Sequence, residues 1–365
     1  MNNRQTISKS ETNCVQPQST QGDTLKIAID VHAAFFVVAC QMDGSNPKPP
    51  QKIDSKQFVG WLAKQLDKAK AVVCCYEAGP TGFWLHRKIV ALGVSNYVVC
   101  PSCLDSRGRG VNTDKTDAKE LLSRLDRYLA GNKKAFSPVR VPSEQEEQRR
   151  LLPRQRQQLR QTRLSLASRG RSLLLLYGWR QNNNWWRPQL WKKLREQLPP
   201  WLEGLLKTFH ELITTVHQQI LLLDKTIEAR SAKERPRGLG PLSWEQIESE
   251  VCNWSRFKNR RQVGGFAGLT GGVSASGQQV ADLSITKAGN KRLRTTLVEL
   301  AWRMVFYQPD YWLVKKWSKV LCNPRAHVRA RKRAIVAFAR QLLVDLWKWR
   351  TGQVSAQRLG WIMAE

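Results

Sequence analysis

The sequence predicts an α/β sheet domain followed by a largely helical remainder. Three observations carry that prediction. Short apolar runs alternate with stretches of helical periodicity over the first third of the chain, the pattern of strands with helices packed on them. Beyond residue 137 the composition turns to Gln, Arg and Leu, and residues 143–225 contain a single β-branched run, 213–216. A polar stretch from Gly178 to Pro188 and a Pro- and Gly-bearing segment at 234–241 then punctuate the chain.

The elements follow in order. Residues 1–23 are rich in Asn, Gln, Ser and Thr, carry too little apolar surface to fold, and are expected to be a disordered tail. Residues 25–31 form a short buried strand and 34–42 a second. The link between them is too short for a helical crossover, so they pair as a hairpin and the sheet is mixed. Asp43-Gly44-Ser45-Asn46-Pro47 is a turn. Residues 57–70 read as a helix with Phe58, Trp61, Leu62, Leu66 and Ala69 on one side. A strand at 71–76, a helix at 82–92, a strand at 95–100 and a helix at 113–129 complete the domain. Residues 143–225 form long helices that Pro153 and the 178–188 cluster interrupt. A second boundary falls at 234–241, and the rest is helical around a glycine-rich segment at 264–277.

Composition narrows the partners. Sixty Lys and Arg oppose 29 Asp and Glu, a formal charge of +31. Such an excess repels itself unless a polyanion relieves it, and nucleic acid is the expected one. No apolar run approaches the roughly 20 residues a spanning helix needs, and residues 1–23 lack the apolar stretch of a signal peptide, so no membrane partner is expected and the location is cytoplasmic. The eight cysteines are scattered and read as reduced thiols. Cys100-Pro-Ser-Cys103 has half the spacing of a zinc site, with no second pair nearby. The five histidines form no cluster with metal-ligand spacing.

Four carboxylates stand out. Asp30 and Glu77 each terminate an apolar strand, where an acid is costly without a partner or a task. Asp114 and Asp117 lie one turn apart at the start of a helix. Taken singly, Asp114 favours a helix N-terminus beside a Thr113 cap and Asp30 opens a turn. Taken together they form an oxygen-rich set suited to hard cations such as Mg2+, which clamp the oxygens of a phosphoryl displacement.

The motifs Lys26-Ile-Ala-Ile-Asp30-Val31, Tyr76-Glu77-Ala78-Gly79-Pro80-Thr81-Gly82 and Thr113-Asp114-Lys115-Thr116-Asp117-Ala118 resemble those of the IS-one-ten family of transposases. The resemblance covers roughly residues 24–135 and 236–350. It implies an RNase H-like, RuvC-type N-terminal domain at 24–136, a helical, coiled-coil-like linker and dimerisation region at 137–235, and a mostly helical C-terminal transposase domain at 236–365. It also implies that Asp30, Glu77, Asp114 and Asp117 are the catalytic, Mg2+-binding acids.

Residues 264–277 lead into Lys287-Ala-Gly289-Asn290-Lys291-Arg292-Leu293-Arg294. Flexible backbone beside clustered cations brings amides and positive charge onto phosphates, although a surface loop before an ordinary basic helix fits equally well. The resemblance extends over 256–294: Gly268-Leu269-Thr270, the Ser276-Gly277 pair and the Ile285-x-Lys287-x-Gly289-Asn290 run match the family's second domain. Ser276 is then the implied nucleophile, with Ser274 two residues away. Gly271-Gly272 replaces the proline the family usually carries there, which loosens the loop. Lys287, Asn290, Arg292 and Arg294 are the expected nucleic-acid contacts of this region.

The middle region adds Arg156, Arg160 and Arg163, part of an arginine set that covers more than one helix face and suits a nucleic-acid groove or a solvated helix better than a strict zipper. Five of the 15 tryptophans, Trp179, Trp185, Trp186, Trp191 and Trp201, lie among cations there. Core packing is their commoner use, and stacking on unpaired bases the alternative. Arg237-Gly-Leu-Gly240-Pro241 precedes a helix, as in helix-hairpin-helix modules that offer backbone amides to phosphate, although a lone Gly-x-Gly is not specific to them.

The expected function is cutting and rejoining of DNA strands in insertion-sequence transposition through a phosphoserine intermediate, assisted by Mg2+ on the acid set. The resemblance implies partners: the element ends and target DNA, a structured guide RNA encoded beside the gene, and other copies of the chain in a dimer or tetramer. It also implies a prokaryotic, nucleoid-associated protein. A hydrolytic RuvC-like nuclease and a non-catalytic nucleic-acid-binding protein are the alternatives.

Overall fold

The computed structural model describes residues 22–100, 113–276 and 279–364. The expected tail lies outside these, except that Gly22 and Asp23 already belong to the first strand. Cys103, half of the Cys-Pro-Ser-Cys pair, and Gly277 also lie outside them. The chain divides into two compact units, the first ending at Val141 and the second running from Pro142.

The first unit is a five-stranded mixed sheet. Its strands β1 (Gly22–Val31), β2 (Phe35–Met42), β3 (Gln51–Asp54), β4 (Ala69–Glu77) and β5 (Ser95–Val99) lie in the order β3-β2-β1-β4-β5. As the short connection requires, β1 and β2 are antiparallel; β3 extends the meander, and β4 and β5 run parallel to β1. β3 is absent from the sequence reading, because only Ile53 of its four residues is buried and no apolar run marks it.

Period-two alternation sorts the side chains into two cores. Leu25, Ile27 and Ile29 of β1 pack with Phe58 and Leu62 of α1 (Phe58–Leu66) and Leu85 and Ile89 of α2 (Trp84–Ala91). Ala28 packs on the opposite face with Cys75 of β4 and with Ala118, Leu121, Leu122 and Leu125 of α3 (Asp114–Leu129). Helices therefore cover both faces of the sheet.

In the second unit, α4 (Glu144–Leu176), α5 (Pro188–Arg195) and α6 (Pro200–Arg230) enclose a core of Trp185, Trp186, Trp191, Leu202 and Ile213. Three of the five tryptophans thus serve packing, while Trp201 is half-exposed. Pro153 does not interrupt its helix, contrary to expectation. The Ser143–Glu146 capping box fixes the first turn. The pairs Arg149–Glu245 and Arg154–Glu250 then tie the chain down on either side of the proline, offsetting its missing amide.

The acids of those pairs lie on α7 (Pro241–Val251), the helix around which a second, larger core is built. Glu245, Glu248 and Glu250 are all buried; Arg350 pairs with Glu248, which also accepts from Trp254 Nε1 at 2.9 Å. Helices α8 (Arg260–Phe266), α9 (Lys291–Tyr307), α10 (Trp312–Leu321), α11 (Val328–Arg350) and the short α12 (Ala356–Leu359) complete this part. The glycine-rich segment is not a plain loop. It opens a two-stranded antiparallel hairpin, β6 (Gly271–Ser276) and β7 (Gln279–Ile285).

Candidate active site

The parity that puts Ala28 and Cys75 on the α3 face also sends Asp30 and Glu77 there, two residues further along each strand. Ile29 pairs with Tyr76 in parallel register, so Asp30 and Glu77 leave the sheet side by side at the C-terminal edge of parallel strands. That edge is where open α/β sheets hold ligands. The N-terminus of α3 arrives at the same edge. Thr113 caps it by accepting from the Thr116 amide, and Asp114 and Asp117 occupy its first turn.

Asp30, Asp114 and one residue not anticipated, His32, come together. His32 Nε2 lies 3.1 Å from Asp30 Oδ2 and 3.4 Å from Asp114 Oδ2. The three side chains can each present a ligand atom within 4.8 Å of the other two. The His32 ring is held by stacking on Phe35, 4.7 Å between centroids, across the tight turn into β2. Burial pushes the Asp30 carboxyl above the ordinary aspartate value; His32 pulls it down, and the charges of Asp114 and Asp117 push it up again. Carboxylates gathered this closely repel one another, and a divalent cation relieves them. Asp30, Asp114 and His32 form a donor set that fits such an ion. Glu77 is half-buried at the end of β4, and Asp117 half-buried one turn into α3. The sequence signal for His32 was its parity with Asp30, which histidine-to-histidine spacing cannot reveal.

Ser276 is the last residue of β6, with Gln279 as its partner across the hairpin, and Ser274 pairs with Ala281. Lys287 is exposed and has φ 56°, next to the hairpin exit. Asn290 caps α9 by accepting from the Leu293 amide and donates to Glu250 at 2.7 Å. Arg292 donates to Gln157 at 2.8 Å, and Arg294 to the carbonyls of Ala267 and Lys287 at 2.9 and 3.1 Å. Arg156 pairs with Asp224, Arg160 is exposed, and Arg163 contacts His217 Nδ1 at 3.0 Å beside the Trp186 ring. Five of these seven residues therefore also hold the fold. The Arg237–Pro241 turn does open α7, and its Arg237 carbonyl accepts from Gln308.

Residues 234–315, which span α7 through the hairpin to the start of α10, match the family described as Transposase IS116/IS110/IS902. A protein of Sinorhizobium fredii named as a candidate transposase, y4rJ, is 31% identical over 353 residues, covering 86% of this chain and 88% of the relative. The chain belongs to this transposase family. More distant relatives of the transposase are named for insertion sequence elements. The IS1533 transposase of Leptospira borgpetersenii is 26% identical, covering 77% of this chain and 85% of its own. The IS1111A transposase of Coxiella burnetii is 22% identical, with 83% of each chain covered. As a transposase the protein acts on DNA, and among its described residues no helix is long and apolar enough to cross a membrane.

Proposed function

We propose that the transposase cuts and rejoins DNA strands through a covalent phosphoserine at Ser276, assisted by Mg2+ on Asp30, Glu77, Asp114 and Asp117. The observation that carries this reading is the meeting of Asp30, His32 and Asp114 at the edge of the parallel strands. The sheet order β3-β2-β1-β4-β5, with helices on both faces, supports an RNase H-like, RuvC-type first domain. Separate cores under α4–α6 and under α7–α12 support a linker at 137–235 and a transposase domain at 236–365.

In this mechanism the Ser276 hydroxyl oxygen attacks a backbone phosphorus, the bond to one sugar oxygen breaks, and the serine proton is transferred to the departing oxygen. The phosphoserine conserves the ester bond, so the reverse attack by a second sugar hydroxyl rejoins a strand without added energy. Magnesium, when bound, polarises the phosphoryl oxygens. The four carboxylates would hold that ion, and His32, 3.1 Å from Asp30 Oδ2 and 3.4 Å from Asp114 Oδ2, would orient those two acids or add a nitrogen donor of its own. Guide RNA and DNA are the polyanions that the cationic surface takes. A second copy of the chain covers exposed Leu164, Leu175, Leu205, Leu212 and Leu221 on α4 and α6, giving a dimer or tetramer.

Covalent trapping tests the reading. The protein, purified with the RNA it carries, is mixed with labelled DNA spanning an element junction and Mg2+, and label is sought on denatured protein. We expect an adduct that Ser276→Ala abolishes and Ser274→Ala retains, and that Asp114→Ala abolishes without loss of nucleic-acid affinity. Cleaved DNA with no adduct means that water is the nucleophile and the serine mechanism is wrong.

A further inference from the structure

Helices α8, α10 and α11 and the open end of the β6–β7 hairpin surround a cleft of about 910 Å³. Six cations line it: Arg260, Arg261, Lys316, Lys332, Arg333 and Arg340. Lys332, Arg333 and Arg340 recur at helical spacing on one face of α11, with Val336 and Ala337 between them. No carboxylate pairs with any of the six among the described residues. Elsewhere in this unit arginine pairs with buried glutamate; among the described residues no such pair forms in the cleft.

The walls are not only charged. Trp312 and Trp317 line the cleft, and Trp312 is 38% exposed. Its indole is fixed from behind, because Nε1 donates to buried Asp345 at 3.0 Å. Asp345 also accepts from Tyr311 at 2.6 Å and from Gln341, another cleft residue, at 2.8 Å. Arg340 is seated against Gly264, where a Cβ would lie 3.1 Å from its Nε, so the absence of a side chain there makes room for the guanidinium.

We propose that this cleft binds the sugar–phosphate backbone of a single nucleic-acid strand, with unpaired bases stacking on the tryptophans. Open cations tracking a groove beside rigid aromatic faces are the means by which proteins hold single strands. The volume lies at the upper end of the roughly 300–1,000 Å³ of small-ligand pockets and admits a few nucleotides, not a duplex. Gly271, Ser284 and Ile285 form one wall, so the strand passes the base of the hairpin whose far end carries Ser276. The proposal deepens the reading above, since it supposes that the chain handles unpaired nucleic acid, but it needs neither metal nor cleavage.

The test is binding of labelled 12-nucleotide single-stranded DNA, RNA of the same sequence, and the corresponding DNA duplex to the full-length protein. Anisotropy is followed across a salt series without divalent metal. The double variant Lys332→Gln/Arg333→Gln changes two exposed residues, and a melting curve verifies its fold. Each lost phosphate contact flattens the slope of log K against log salt by about 0.7, so the variant should be shallower by roughly 1.4 on single strands. Lys207→Gln, an exposed cation on α6, should leave the slope within error of the starting value. Equal losses on DNA and RNA assign the cleft to backbone in general, and a loss on one alone identifies that strand as its occupant. A 5-bromouridine-containing RNA and its bromodeoxyuridine DNA counterpart should photocross-link to the peptide bearing Trp312 or Trp317. An unchanged slope in the double variant, or a loss on the duplex as large as on single strands, overturns the proposal. Such a failure leaves the trapping experiment untouched. Conversely, loss of strand binding in the double variant, with no adduct ever formed, keeps the cleft and rejects the serine chemistry.

Discussion

Glu250 lies only 2% exposed at the side chain, between Arg154, which donates to both of its oxygens at 2.8 Å, and Asn290. Burial pushes its carboxyl up, but the hydrogen bonds and charge of Arg154, the Asn290 amide and the charge of Arg150 outweigh this, and the net displacement is downward from an ordinary value near 4.5. A carboxyl lowered in the folded state stabilises above its unfolded value and loses that contribution as pH falls through the folded one. Urea midpoints should therefore drop below pH 4.5, and Glu250→Gln should lower the midpoint at pH 7 while flattening its acid dependence; an equally steep fall in the variant would assign the acid sensitivity elsewhere. At this scale the candidate site was half legible. Asp30, Glu77, Asp114 and Asp117 announce themselves because acids beside apolar strands and at a helix start violate the local pattern. His32 does not, since a half-exposed histidine in a turn violates nothing and gains meaning only when α3 brings Asp114 to it. The cleft cations were equally silent, being ordinary exposed residues until folding gathers them from α8, α10 and α11.

Gly170 governs how α4 meets its neighbours. A Cβ built there would lie 2.2 Å from Trp185 Cζ2, and that indole donates to the Ala167 carbonyl one turn away at 2.9 Å. The glycine gives up helix propensity, and in return the fully buried tryptophan brings its Nε1–Cζ2 edge against the helix backbone. Gly170→Ala has to displace Trp185 or open α4, and overpacking of this kind costs about 1–3 kcal/mol. The expected result is a lower melting temperature with Trp185 partly exposed to quenchers; an unchanged melting curve would show that the indole can move freely. Elements were legible where burial writes a pattern. Apolar runs marked β1, β2, β4 and β5, and periodicity marked α1 to α3, each within a few residues. β3 and the β6–β7 hairpin were not legible, because one is an edge strand with a single buried residue and the other opens with a strand rich in Gly and Ser. Pro153 misled because ion pairs to another helix, which no local window contains, override its local effect.

At the scale of the whole molecule the excess of 60 cations over 29 acids is a standing repulsion that the fold withstands only in part. A ligand that binds the folded form alone stabilises it by about 2.7 kcal/mol at a hundredfold excess over its Kd. Heparin should therefore raise the melting temperature, whereas sodium chloride of matched ionic strength should raise it less, because screening does not span many sites at once. Equal shifts from the two would mean that the cations act singly rather than as a surface.

The buried acids of α7 sharpen that picture. By drawing Glu245, Glu248 and Glu250 inward, and Asp345 with them, folding removes from the exterior four of the few groups that would interrupt its positive field. The outside of the folded chain must be clothed instead by mobile anions from the medium. A strand settling on that exterior sets those anions free, and the entropy of their dispersal, rather than any one contact, then supplies much of the drive for the transposase to hold its DNA.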